Sequence, residues 1–164
     1  MPLLGIRQPD IIQIDEQLRL RKYDGICEFA LEWYQDEETV YFLDGVRKKY
    51  DLQLLNDMYE YLNNRGETYF IEILSDATYT PIGDVTFEQY DMPIVIGNKN
   101  YRNQGIGKKV VSALITRGKE LGFADLWVRD IFDYNEASIK CFESVGFLPI
   151  EKTDKGHKYV LRLK

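Results

Sequence analysis

Residues 92–107 read Met92-Pro93-Ile94-Val95-Ile96-Gly97-Asn98-Lys99-Asn100-Tyr101-Arg102-Asn103-Gln104-Gly105-Ile106-Gly107. The stretch opens on an apolar run, Met92 to Gly97, whose continuity predicts a strand covered on both faces. It closes on two glycines one residue apart. Beyond them Ile106, Val110, Leu114, Gly118 and Leu121 fall on one helical stripe, and Gly122 is a natural stop. Glycines at such a strand-to-helix junction let the backbone approach a ligand and leave the first helical N–H groups pointing outward. Those donors, with the positive end of the helix dipole, favour an anion such as a pyrophosphate. Arg102, Lys108 and Lys109 add positive charge in the same turn. The same two glycines also suit a plain tight turn.

Two familiar phosphate loops do not fit. The pattern G-x-x-x-x-G-K-[ST] meets Arg102 where its first glycine belongs and Lys109 where Ser or Thr would hold magnesium. The dinucleotide fingerprint G-x-G-x-x-G meets Val110 at its third glycine, and the unit does not start at the first strand of the chain. A different phosphate-binding turn is implied.

Working outward, alternation near residues 16–22 predicts a first strand, and apolar spacing of three and four predicts helices over about 24–35 and 51–63. The run Asp36-Glu37-Glu38 reads as a helix terminus or loop. Residues 69–74 and 82–90 predict a hairpin or meander, 126–131 a strand, 136–145 a helix stopped by Gly146, and 159–163 a final strand. The order β-α-α-β-β-β-α-β-α-β describes a layered α/β (α+β) domain with helices for both faces of a sheet. At 164 residues, with no repeat or linker, residues 1–164 are expected to be a single domain.

Composition narrows the function. Lys+Arg at 21 against Asp+Glu at 27 gives −6, which argues against nucleic acid as the main partner. The deficit is uneven: residues 1–96 hold 8 Lys+Arg and 19 Asp+Glu, a net −11, and residues 97–164 hold 13 and 8, a net +5. Cys27 and Cys141 stand far apart and outside any CxxC pair, so neither a disulfide framework nor a metal site is expected. No signal peptide or membrane-length apolar run is apparent, so a cytoplasmic protein without a membrane partner is expected.

A second motif follows Gly107 by 28 residues: Asn135-Glu136-Ala137-Ser138-Ile139-Lys140-Cys141-Phe142-Glu143-Ser144-Val145-Gly146-Phe147. Together, R-x-x-G-x-G after one strand and N-x-x-[AS]-x-x-x-[YF]-E-x-x-G-F after the next resemble the GNAT superfamily of acetyl-CoA-dependent N-acetyltransferases. The resemblance covers residues 80–164 well and the N-terminal part in element order only. The Ile96-Gly97-Asn98 lead-in and the closing segment look most like the bacterial branch containing aminoglycoside and ribosomal-protein acetyltransferases.

The resemblance implies a mixed, mostly antiparallel sheet in which the strand at 92–97 splays from a parallel neighbour at 126–131, with the pantetheine arm of CoA in the wedge. It implies that main-chain groups of Val95 and Gly97, flanking Ile96, pair with that arm. Amides from Arg102 through Asn103, Gln104, Gly105, Ile106 and Gly107 to Lys108 would hold the pyrophosphate. Asn135 would bond the pantetheine, with Ser138 and Phe142 completing the contacts. Asn135 equally suits a helix N-cap. One departure is notable: Phe142 stands where many relatives carry a Tyr that protonates the departing thiolate. Tyr134 is the neighbouring candidate for that role, and an acyl-CoA-binding module with weak or no catalysis is the alternative.

Attack on a thioester requires an uncharged amine, hence a group that removes a proton. Alternation along 82–90 puts Asp84, Thr86, Glu88 and Tyr90 on one face, with Glu88 nearest the next strand and Asp91 in the following turn; Glu88 and Asp91 are the candidate bases. His157 reads as a surface-turn residue, and Cys141 and Cys27 as small buried hydrophobes. The amine acceptor, a small cation such as an aminoglycoside or polyamine or else a protein N-terminus, is expected to meet residues 33–61. The state is expected to be a monomer or homodimer.

Overall fold

Buried Leu18 and Leu20 alternate with partly exposed Arg19 and Arg21, and this period of two makes β2 (Leu18–Lys22) in a computed structural model that describes residues 5–164. The two arginines donate to the buried Glu72 carboxylate, through Nε at 2.9 and 2.8 Å. Five strands form one antiparallel sheet in chain order: β1 (Ile11–Gln13), β2, β3 (Glu67–Ser75), β4 (Thr78–Phe87) and β5 (Ile94–Ile96). A second antiparallel sheet contains β6 (Asp125–Phe132), β7 (Leu148–Lys152) and β8 (Gly156–Arg162), with β8 in the middle.

Among the described residues five α-helices cover them: α1 (Leu31–Tyr34), α2 (Glu37–Asp44), α3 (Leu52–Arg65), α4 (Ile106–Glu120) and α5 (Glu136–Ser144). Leu20, Ile71, Val85 and Phe87 pack with Val110, Leu114 and Phe142 in one core. Phe70 and Val95 pack with Trp33, Tyr34, Leu55 and Tyr59 in another. Helices therefore cover both faces, as the layered α/β class requires. Cys27 is fully buried in the second core and Cys141 packs half-buried against the first.

The strands expected at 92–97 and 126–131 do not pair: they are edge strands of two separate sheets, and every ladder among the described residues is antiparallel. The expected parallel pairing gives way to one main-chain bond, from Trp127 N to Gln89 O at 2.8 Å.

Local chemistry explains the other shifts. The helix predicted over 24–35 shortens to a 3-10 turn at Glu28–Ala30 and α1, because Gly25 sits at φ +90° and breaks any helix before it. The acidic run opens α2, where Asp36 caps by accepting from Thr39 N at 3.0 Å and Gly45 at φ +77° ends the helix. Asp51 caps α3 through Leu54 N at 2.8 Å, and the helix continues through Asn63 and Asn64 to Arg65. The wholly exposed β7 lacks the alternation that reveals a strand, and His157 lies within β8 rather than in a turn, opposite Ile131 and Lys152.

Candidate active site

Because β5 and β6 diverge, they enclose a cleft of about 790 Å³ whose remaining walls come from the start of α4, the β6–α5 turn, α5 and α2. Asp91 pins one end. Its Oδ1 accepts from Met92 N at 3.0 Å and from Arg129 N at 3.1 Å, bridging the two sheets beside the Trp127–Gln89 bond.

At the start of α4, Asn103 (φ +60°) and Gly105 (φ +79°) turn the chain into the helix. The first intrahelical bond is Lys109 N to Gly105 O at 3.1 Å, so the amides of Ile106, Gly107 and Lys108 precede the ladder. All three residues line the cleft, and so do Arg102, Asn103 and Gly105. Lys109 is turned away to Asp15, 2.7 Å from its carboxylate, which leaves Lys108 as the lysine of this turn at the cleft. The Arg102 guanidinium donates from Nε to Ile96 O at 2.8 Å and from Nη2 to Thr39 Oγ1 at 2.9 Å. Gln104 bonds Asn100 O at 2.7 Å and lies outside the lining.

The register of β5 corrects one expectation. The bond from Thr86 N to Pro93 O (3.0 Å) sets the alternation of the β4–β5 ladder, so Val95, opposite Asp84, directs its main-chain groups into β4. The groups at the open edge are those of Ile94 and Ile96. Gly97 serves a different need: a Cβ there would overlap the Trp33 ring, so glycine is what lets the chain pass that side chain.

On the facing side, Asn135 caps α5, its Oδ1 accepting from Ser138 N at 3.2 Å, and both residues line the cleft. Phe142 is 2% exposed and meets Phe147 edge-on at 5.2 Å, so its ring forms part of the floor. Cys141 lines the same wall; burial pushes its thiol up to about 11 against the pull of Lys108, which keeps it protonated.

Of the three candidate catalytic residues, Asp91 and Tyr134 line the cleft and Glu88 does not. β4 ends at Phe87, and Glu88 turns to Arg65 (3.6 Å) and Arg129 (3.8 Å). Tyr134 stacks on Tyr41 at 4.7 Å and donates its hydroxyl to the Tyr41 carbonyl at 3.2 Å; burial is the main cause raising its phenol. The predicted alternation along β4 places Asp84 in the second core, where Tyr34 and Tyr59 hydroxyls donate to its Oδ2 at 2.6 and 2.7 Å. Burial pushes that carboxyl up to about 6. His157 pairs with Asp133 at 2.9 Å.

Sequence reasoning missed α2, whose Glu38, Thr39 and Phe42 line the cleft. The signal was present as Asp36 three residues before Thr39 with Gly45 beyond, the pattern of a short capped helix.

With this geometry in view, residues 27–147 match the Acetyltransferase (GNAT) family. The uncharacterized N-acetyltransferase YfmK of Bacillus subtilis (strain 168) is 28% identical over 118 residues, 70% of this chain and 74% of that protein. A domain from Methanocaldococcus jannaschii DSM 2661 superposes with a TM-score of 0.77 at 21% identity, over 91% of this chain and 100% of that one. Aminoglycoside acetyltransferase AAC(6')-Ib, in complex with coenzyme A, does so at 0.70 and 17%, over 89% and 95%. The chain belongs to the acetyltransferase (GNAT) family. It is an N-acetyltransferase that takes its acetyl group from acetyl-CoA.

Proposed function

We propose that acetyl-CoA lies in the cleft between β5 and β6 and that the enzyme acetylates a cationic primary amine by direct attack in a ternary complex. The observation that carries this is the chemical sorting of one lining. The amides of Ile106 to Lys108 offer an anion site, while Glu38, Asp91, Asp130 and the rings of Phe42 and Tyr134 suit a cation; Arg129, between the two aspartates in the same lining, is paired with Glu88 at 3.8 Å. A volume near 790 Å³ fits a ligand of cofactor size. The fold likeness to an aminoglycoside acetyltransferase solved with coenzyme A and kanamycin supports a polyamine-like acceptor.

In this scheme the pyrophosphate meets the α4 amides and Lys108, and the pantetheine runs along the open edge of β5, where Ile94 presents its main-chain groups and Ile96 its N–H, the Ile96 carbonyl accepting from Arg102 Nε. Asn135 Oδ1 is committed to its cap, so its amide nitrogen is the group left to donate. Asp91 takes the proton from the ammonium, directly or through water; two main-chain donors on Oδ1 fix its orientation. The amine nitrogen bonds to the thioester carbon and releases its second proton to solvent, the C–S bond breaks, and the thiolate leaves with the pair and is protonated from solvent. Phe142 has no proton to give, and the Tyr134 proton is held by the Tyr41 carbonyl. Residues 1–164 act as one such domain, in a reducing cytoplasm that suits the free thiols of Cys27 and Cys141.

The test is thiol release from acetyl-CoA with kanamycin, spermidine and a peptide bearing a free N-terminus, for wild type and Phe142→Tyr. Amine-dependent release by wild type is expected. Release by none of these amines, with CoA binding intact and turnover appearing only in Phe142→Tyr, would support a CoA-binding module instead.

A further inference from the structure

The helix α2 has eight residues and buries only Thr39 and Val40. A helix this short has little stability of its own, and its place depends on what ties it down. Its first turn is tied to the segment between β5 and α4. Asp36 accepts from Lys99 Nζ at 2.8 Å and from the Thr39 hydroxyl at 2.8 Å, and that hydroxyl accepts from Arg102 Nη2 at 2.9 Å. Arg102 also holds the Ile96 carbonyl, so a single guanidinium joins β5, the turn entering α4 and the helix across the cleft.

We propose that Arg102 is a positioning residue that transmits CoA occupancy to α2, the element that supplies Glu38 and Phe42 to the acceptor side, and that it is not itself a pyrophosphate ligand. The proposal rests on CoA occupying the α4 turn as set out above. An anion bound by the amides that follow Arg102 restrains the turn at Asn103 and Gly105. Arg102 leads directly into that turn, so the restraint lowers the cost of holding Thr39 and, through it, α2. Two ligands that order the same element bind cooperatively. The consequence is mutual tightening: CoA raises the affinity for the amine, and the amine raises that for CoA by the same factor.

The experiment measures hydrogen exchange of residues 37–44 with and without CoA, and CoA affinity by calorimetry, for wild type, Arg102→Ala and Thr39→Val. Thr39→Val removes the hydroxyl and keeps the main-chain N-cap. In wild type, CoA is expected to slow exchange in α2 by ~5-fold or more, the lower end of ordinary coupling. In Thr39→Val and Arg102→Ala that slowing disappears while CoA affinity changes by less than ~3-fold, well under that coupling. Should Arg102→Ala fail to fold, the Thr39→Val result decides. A loss of CoA affinity beyond ~10-fold in folded Arg102→Ala, equivalent to a direct charged contact, overturns the proposal. So does CoA-dependent protection of α2 that persists in Thr39→Val, or CoA binding to wild type without any such protection. Absence of CoA binding to wild type would overturn the placement of the cofactor as well, which separates the two failures.

Discussion

The two walls of the cleft are built differently. On the side proposed for the donor, the 15-residue α4 buries Ile106, Val110, Val111, Leu114 and Gly118, and the Phe142 ring of α5 is wedged against Phe147 in the main core. On the side proposed for the acceptor, α2 puts Val40 into the second core and is otherwise held by a cap, a lysine, an arginine and a tyrosine stack. In the proposed scheme the cofactor is met by elements fixed in the main core, and the acceptor by a short helix with two buried residues.

The largest effect is expected at Asp91. Asp91→Asn keeps an oxygen for the two main-chain donors and removes the base, so kcat/KM should fall by ~10²–10³-fold with CoA affinity unchanged. Glu88→Gln, at a carboxylate turned to Arg65 and Arg129, should change kcat/KM by less than ~3-fold, far short of a base deletion. Equal losses in steady-state kinetics would erase the distinction between them.

The next effect concerns stability. Burial raises the Asp84 carboxyl from 3.8 to about 6, so the folded chain keeps this proton to higher pH than the unfolded chain. The stabilisation is complete below pH 4 and is lost as pH rises through 6, by ~3 kcal/mol for that shift. Urea unfolding at pH 4 and 7 should show this loss in wild type and a flatter profile in Asp84→Asn. A wild type that gains stability over that range relative to the variant would mean that the tyrosine hydroxyls, not burial, dominate. Smaller still is Asp36→Ala, which removes the α2 cap and its lysine tie. It should cost ~1 kcal/mol in the same assay and raise the acceptor KM more than the acetyl-CoA KM.

The donor wall was legible in the sequence because its chemistry is local. Gly105 and Gly107 at a strand-to-helix junction, Asn135 at a cap and Gly146 at a helix end each need particular residue types at fixed offsets. The register of β5 was not legible, since alternation shows which side chains share a face but not which main-chain groups β4 consumes. The environment of Asp84 was also hidden. Its tyrosine partners stand 50 and 25 residues away in sequence, and only the packing of α1 and α3 onto β4 brings them to one carboxylate oxygen. Arg102 shows the same limit, because the motif locates the residue while its partner Thr39 is 63 positions earlier.

In the proposed scheme the turn entering α4 receives the pyrophosphate of CoA. Its most direct test is a calorimetric titration of CoA into wild type and Gly107→Glu, with circular dichroism confirming that the variant is folded. A Cβ at Gly107 would stand 3.3 Å from Cys141 Sγ, a contact that a small shift relieves, so the introduced carboxylate rather than misfolding should dominate. Saturable binding by wild type, weakened at least ~100-fold or ~2.7 kcal/mol in the variant, is the predicted result. Undiminished affinity in a folded Gly107→Glu, or no binding to wild type at millimolar CoA, would contradict it.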